Sequence, residues 1–433
     1  MAFVCVAAGL VAGAVPALAL KVEEIESQKG IKAWLVEEHS VPLIAIRFAF
    51  IGGALQDPTG KEGLAGALAD LLTEGAGDLP AAAFKDRISI LGANLSMSSG
   101  RDTIFGGMET VSKRFEPSAD LLRLALTAPR FDAGAIEQVK AQRLSDLALA
   151  AQQPITVARD RWYAEAFPGH AYGRPPNGTP QSVGGLTSDD LKAQHARLLA
   201  KDVLRVVIVG DIDKAGAIRA IDTIFGGLAD KAQVKPIDRV EARVLPGPVV
   251  ITEDHPLATS VFGLASLRND HPDFPALQVL NQVIGSGDFD SRLMAEIRVK
   301  RGLAYSVRTN LLNDTTVSLL VGGISTKNEA MREALVLVKD VLSRTAKDGP
   351  SQAEFDNAKL YLNGSYLLDF DTNAKVAGSL LGIWLDNRKP DYLLGRKQQI
   401  DRVTLADVKR VAAQVLQPDR MIVTVVGKPN PQP

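Results

Sequence analysis

Histidine, cysteine and the carboxylates are the side chains that bind metals or run nucleophilic chemistry, so their spacing bounds what this chain can do. Five histidines occur, His39, His170, His195, His255 and His271, and no two are three or four residues apart. Two metal ligands on one helix face need that spacing, because only side chains at i, i+3 or i, i+4 converge. The single cysteine, Cys5, lies in an apolar N-terminal segment and leaves the rest of the chain without a thiol nucleophile or a thiolate ligand. No phosphate-cradling loop, dinucleotide fingerprint or nucleophile elbow is present. Net charge is −1 without a long run of Lys or Arg, so a nucleic-acid or acidic-membrane surface is not expected.

The stretch GGALQDPTGKEGLAGALADLLTEGAG (Gly52 to Gly77), followed by GANLSMSSGRDTIFGGME, is similar to the opening of the pitrilysin/insulinase family of zinc peptidases, the inverted zincins. The metal helix of that family carries H-x-x-E-H. Laid on this sequence, the motif puts Gly66 and Asp70 at the two histidine positions and Ala69 at the glutamate that serves as general base. The family's third ligand is a glutamate further along, where Asp146 falls. The resemblance thus implies a degenerate metal site at Gly66, Ala69, Asp70 and Asp146, with no metal and no cofactor held by this chain. Without a base at position 69 no bound water is deprotonated, and two carboxylates alone are a poor zinc site. Asp70 and Asp146 are expected as polar residues facing a former metal cavity.

A second stretch, SGDFDSRLMAEIRVKRGLAYSVRT (Ser286 to Thr309), resembles the family's second-lobe signature. There an arginine and a tyrosine seven residues apart reach across a closed cavity to the bound peptide, and the matching residues here are Arg298 and Tyr305. A guanidinium and a phenol suit that task, since they stabilise the negative charge of a tetrahedral intermediate or hold a substrate backbone. The competing reading makes Tyr305 a strand residue with a buried ring and Arg298 a helix-surface charge paired with Glu296 or another neighbour, and the functional reading is favoured over it. The likeness continues through WYAEAFPGHAYGRPPNGTPQSV (Trp162 to Val183), where His170 is implied to be structural, and on to Gly210 and Asp211.

These residues need elements to position them, and an internal repeat defines the elements. At an offset of 217 residues, Gly178, Gln181, Val183, Thr187, Asp190, Leu191 and Lys192 match Gly395, Gln398, Ile400, Thr404, Asp407, Val408 and Lys409. The register holds to LRVVIVGD (Leu204 to Asp211) against MIVTVVGK (Met421 to Lys428). Each copy predicts a helix capped by Thr with Asp three residues on, then a buried strand ending at Gly. Each half opens with strands, IKAWLVEE and LIAIRFAFIGGAL in one, PGPVVITED and ATSVFGLASL in the other, followed by a helix near Gly63 and one from Phe274 to Ile284. Gly285 and Gly287 read as helix C-caps, and Gly106–Gly107 and GGIST at Gly322 to Thr326 as strand irregularities.

The expected fold class is α+β, with two homologous lobes, each a mainly antiparallel sheet with helices packed on it. The resemblance adds that such lobes form a clamshell. At 433 residues the chain exceeds what one core supports. The expected parts are a signal peptide over 1–19, a peptidase-like lobe over 21–235, a linker over 236–248 and a second lobe over 249–433. The first segment, MAFVCVAAGLVAGAVPALAL, is uncharged and places Ala17 and Ala19 as a secretory cleavage site requires, although it lacks a positive start. A periplasmic or secreted location is expected from it.

As function, the resemblance implies a non-catalytic subunit of a two-component zinc peptidase acting on unstructured peptides. A homologous zinc-bearing partner would hold the metal, and this chain would lend Arg298 and Tyr305 in trans. A peptide-binding or scaffold protein of the same fold, with no role in proteolysis, is the alternative. In either case GANLSMSSGRDTIFGGM is positioned to pair with an extended peptide.

Overall fold

Apolar, largely continuous strand segments build two sheets of matching design. The computed structural model describes residues 20–429, so the expected signal peptide lies outside the described residues. The first sheet comprises β1 (Glu23–Glu26), β2 (Lys32–Glu37), β3 (Leu43–Ile51), β4 (Asn94–Ser99), β5 (Thr103–Val111) and β6 (Leu204–Gly210), in the order β1-β2-β6-β3-β5-β4. The second comprises β7 (Val249–Thr252), β8 (Leu257–Ala265), β9 (Ala304–Asn313), β10 (Ser318–Lys327) and β11 (Ile422–Gly427), in the order β7-β11-β8-β10-β9. Strand for strand the second order repeats the first without β1. Each sheet is antiparallel except for one parallel pair, β2 with β6 and β7 with β11, and these pairs occupy equivalent places.

Seven helices position the candidate site and tie the halves together. The first half contributes α1 (Leu64–Leu71), α2 (Ala133–Ala151), α3 (Pro154–Ala166) and α4 (Ser188–Leu198); the second contributes α5 (Phe274–Asn281), α6 (Asn373–Leu385) and α7 (Leu405–Val415). The capping boxes are present in both copies. Thr187 accepts the Asp190 N–H at 3.2 Å and donates its own N–H back to the Asp190 carboxylate at 2.9 Å, and Thr404 and Asp407 do the same at 3.2 and 3.0 Å. The strands after these helices end at Gly210 and Gly427, with φ of +137° and +142°, a backbone region that favours glycine.

Central strands are apolar on both faces because both faces are covered. On β3, Ile44, Ile46, Phe48 and Phe50 join the core beneath α1 and α4, whereas Ala45 and Ala49 face a second cluster with Trp34, Val36, Val207 and Val209. That second face carries a helix from the other half: Val376, Leu380 and Leu381 of α6 pack on it, and Trp384 stacks on Trp34 with ring centroids 4.7 Å apart. In the reverse direction α3 lies on the second sheet, where fully buried Trp162 donates to the Ile422 carbonyl at 3.0 Å. Thr424 Oγ1 donates to the Ala158 carbonyl at 2.8 Å. The two lobes are thus joined by an exchange of helices in both directions, which gives the two-lobed α+β clamshell.

Two expectations are corrected. The glycine pairs themselves are regular, since β5 runs in continuous register past Gly106 and β10 past Gly322, and the one register shift beside GGIST falls on β9 between Ala304 and Val307, opposite Thr326 and Ile324. The glycines make room for an aromatic ring on the neighbouring strand, Phe48 over Gly106 and Phe262 over Gly322. The helix from Phe274 ends its α geometry at Asn281 and continues as a π-helical turn over Gln282–Ser286. Gly285 is no C-cap but sits in that turn, where a Cβ would come within 2.5 Å of Thr309 Oγ1 on β9.

Candidate functional site

The helix that carries the implied metal positions is fixed at its start by Asp57. This carboxylate accepts the Gly63 and Ala65 N–H groups, each at 2.9 Å, and the Gln194 amide at 3.0 Å. α1 then lays Leu64, Leu68, Ala69 and Leu71 into the main core. Ala69 is fully buried there, so the general-base position contributes only a methyl group to packing. Asp70 points elsewhere, and its Oδ2 accepts from Arg143 Nε on α2 at 2.7 Å.

Arg143 fills the former cavity. A Cβ at Gly66 would lie 2.5 Å from Nη2 and 2.6 Å from Nη1, so the absence of a side chain at 66 is what admits the guanidinium. Asp146 is exposed and accepts from Gln142, one turn earlier on the same helix, at 2.9 Å, and its charge acts on Asp70. Burial raises the Asp70 carboxyl above its ordinary value against the pull of Arg143, with Asp146 and Glu74 adding to the rise. Among the described residues no group of three or more His, Cys, Asp or Glu is arranged to hold a metal ion. Positions 66 and 69 offer no donor, and a divalent ion would meet a guanidinium already in place. Unit charges 4 Å apart repel by roughly 4 kcal/mol at an effective dielectric of about 20.

The sequence reading missed Arg143, although a signal was present. It lies three residues before Asp146 on one helix, so a register that brings position 146 to the site brings 143 near it.

The histidines serve local structure at separate places. His39 pairs with Asp211 at 2.8 Å and His255 with Glu253 at 2.8 Å. His170 accepts the Tyr172 N–H, His271 that of Asp273, and His195 meets the Leu126 carbonyl with its pKa lowered by burial.

In the second lobe, Met294–Val299 forms another π-helical turn, and β9 starts with a register shift between Ala304 and Val307. The turn and the shift together set Arg298 against Tyr305. The Arg298 guanidinium lies 4.4 Å from the Tyr305 ring centroid and 4.5 Å from that of Phe289, and its Nη1 donates to the Tyr305 carbonyl at 2.7 Å. Tyr305 is 82% exposed, so its ring is not buried. Glu296 is taken by Lys300 at 2.9 Å and by Arg301, so Arg298 pairs with no carboxylate among the described residues. The result is a half-buried guanidinium in contact with two exposed rings, Tyr305 and Phe289.

Two repeated α+β lobes, with no metal-ligating side chain at positions 66 and 69 of the first-lobe helix, define the class of fold. Residues 185–362 match the family model described as the peptidase M16 inactive domain. The chain is similar to a solved peptidase M16 inactive domain from Pseudomonas fluorescens, at 26% identity and a TM-score of 0.89 over 94% of this chain and 98% of that one. A "non-peptidase homolog" from Helicobacter pylori is 28% identical over 82% of each chain. A sequence from Mycobacterium leprae named an uncharacterized zinc protease is 26% identical over 88% of this chain and 87% of its own. Over residues 185–362 the chain is similar to the inactive domain of peptidase family M16, and its likeness to the relatives extends over most of its length. No helix among the described residues is long and apolar enough to cross a membrane.

Proposed function

We propose that this chain is the non-catalytic subunit of a heteromeric zinc peptidase that acts on unstructured peptides outside the cytoplasm. Zinc and the general base belong to a homologous partner, and this chain supplies Arg298 and Tyr305 to the partner's active site. The observation that carries the reading is the contrast between the two lobes. The first-lobe helix offers no donor at Gly66 and Ala69, while a half-buried Arg298 is held over an exposed Tyr305. A guanidinium and phenol placed to meet a developing oxyanion stabilise the transition state, and removing one such donor typically costs about 10²–10³ in turnover. The uncharged N-terminal segment with Ala17 and Ala19 supports export to the periplasm or beyond.

The test is reconstitution with the zinc-bearing homologue and turnover of an unstructured peptide. Arg298→Ala and Tyr305→Phe in this chain should each lower kcat of the complex by about 10² or more with little change in assembly. Unchanged turnover in both variants would remove Arg298 and Tyr305 from the mechanism.

A further inference from the structure

Two arginines of the second lobe are held in opposite ways. Arg292 commits Nε, Nη1 and Nη2 to Glu354, Thr345 and the Gly349 carbonyl, so hydrogen bonds alone fix the plane of its fork. Arg298 has one hydrogen-bond acceptor among the described residues, the Tyr305 carbonyl, reached through Nη1 at 2.7 Å. A single hydrogen bond sets a distance and leaves the fork free to swing about it. The remaining hold on the group comes from two rings, Tyr305 with its centroid 4.4 Å from the guanidinium carbon and Phe289 with its centroid 4.5 Å away.

Packing does not explain the place of Phe289. Its ring is 55% exposed and stays outside the core that Leu293, Met294 and Ile297 join nearby. A phenyl ring left in water forgoes the stabilisation that burial would bring. The backbone that carries it is nonetheless fixed on both sides. Before it, the π-helical turn Gln282–Ser286 presses Gly285 onto Thr309 of β9. After it, Ser291 and Leu293 are fully buried, and Met294 Sδ accepts the Val307 N–H of β9 at 3.4 Å. The short 3-10 turn Asp288–Asp290 that bears the ring is therefore tied twice to the strand that bears Tyr305, and the second π-helical turn, Met294–Val299, brings Arg298 to both rings.

We infer that Phe289 is a positioning residue for Arg298: its ring face attracts the cation and fixes the orientation in which the guanidinium is offered to an oxyanion. The inference rests on the proposed role of Arg298 in a partner's active site and adds to it a residue that acts only through Arg298. An arginine side chain has large rotamer freedom, and without the ring that freedom is given up on reaching the transition state. The loss falls on kcat, because only the charge that develops in the transition state calls on the oriented fork.

The experiment is turnover of a fluorescence-quenched, unstructured peptide by the complex reconstituted with the zinc-bearing homologue. Position 289 is varied from Phe through its mono-, di- and trifluorinated forms to Leu, a series that removes the negative face of the ring stepwise while an apolar group of similar size stays in place. The logarithm of kcat is expected to fall in step with fluorination and to end about three- to tenfold below wild type at Phe289→Leu, with KM and melting temperature unchanged. Phe289→Trp, whose indole binds cations best, should keep the wild-type kcat or raise it. In an Arg298→Ala background the same series should be flat, since the ring then has no cation to hold. Equal kcat across the series with Arg298 present, or a fall of the same size with Arg298 absent, overturns the inference and leaves the role of Arg298 in place. Wild-type turnover by Arg298→Ala itself would instead overturn the proposed function, and this inference with it.

Discussion

Asp57 does at the start of α1 what the residue at the N-cap position lacks the means to do. Gly63 stands there with φ +91° and no side chain, so the first free N–H groups of the helix are met from a distance by a carboxylate that is only 3% exposed. Replacing it leaves two backbone donors and the Gln194 amide without an acceptor in a buried place. Asp57→Ala should therefore destabilise the protein by about 2 kcal/mol or more, read as a lower urea midpoint at unchanged slope. Asp57→Asn, which keeps one acceptor oxygen, should lose less; equal midpoints for Ala and wild type would show the cap to be dispensable. Because α1 carries Gly66, Ala69 and Asp70, the residues that define the altered pocket are held by a group that never touches it.

At the scale of elements, what could be read in the sequence was whatever is local and repeated. Thr187 with Asp190 and Thr404 with Asp407 are self-contained signals, and a strand ending at glycine comes after each, so helix and strand were both placed. Helices α3 and α6 carry no such information about their destination. Each packs on the sheet of the other half, and a single sequence does not say which sheet an apolar helix face will cover. The pocket was legible as an absence at Gly66 and Ala69, whereas the guanidinium over Gly66 left only the three-residue spacing of Arg143 from Asp146, a signal that acquires meaning once α2 lies beside α1. The strand glycines can be tested one against another. A Cβ at Gly322 would enter the Phe262 ring, whereas one at Gly323 would find Ile155 Cδ1 and the Ser260 carbonyl no closer than 3.6 Å. Gly322→Ala should cost about 1–3 kcal/mol through overpacking, and Gly323→Ala should be neutral or slightly stabilising. Similar melting temperatures for the two variants would mean that the ring, and not the glycine, yields.

Across the whole molecule, the two lobes meet not only through exchanged helices but also at the tips of equivalent hairpins. Asp102 lies between β4 and β5, and Asp314 between β9 and β10; Asp102 Oδ2 accepts the Thr315 N–H at 2.8 Å. Burial, with the Asp102 charge adding to it, pushes the Asp314 carboxyl up to about 7, while Arg101 pulls the other way and Asp386 adds to the rise. Burial raises Asp102 and Asp386 as well. The folded state thus holds a proton on Asp314 that the unfolded chain releases near 3.8, the ordinary value. Between those limits Asp314 binds more proton in the native state than in the unfolded one, so its contribution to stability falls as pH rises. Asp314→Asn removes the titration while keeping the shape. Its stability relative to wild type should climb steadily from pH 4 to about 7 and level off at higher pH, measured by urea unfolding at fixed ionic strength. A difference that does not change with pH would mean that Asp314 stays ionised in the native state and that the hairpin tips bear two like charges at neutral pH.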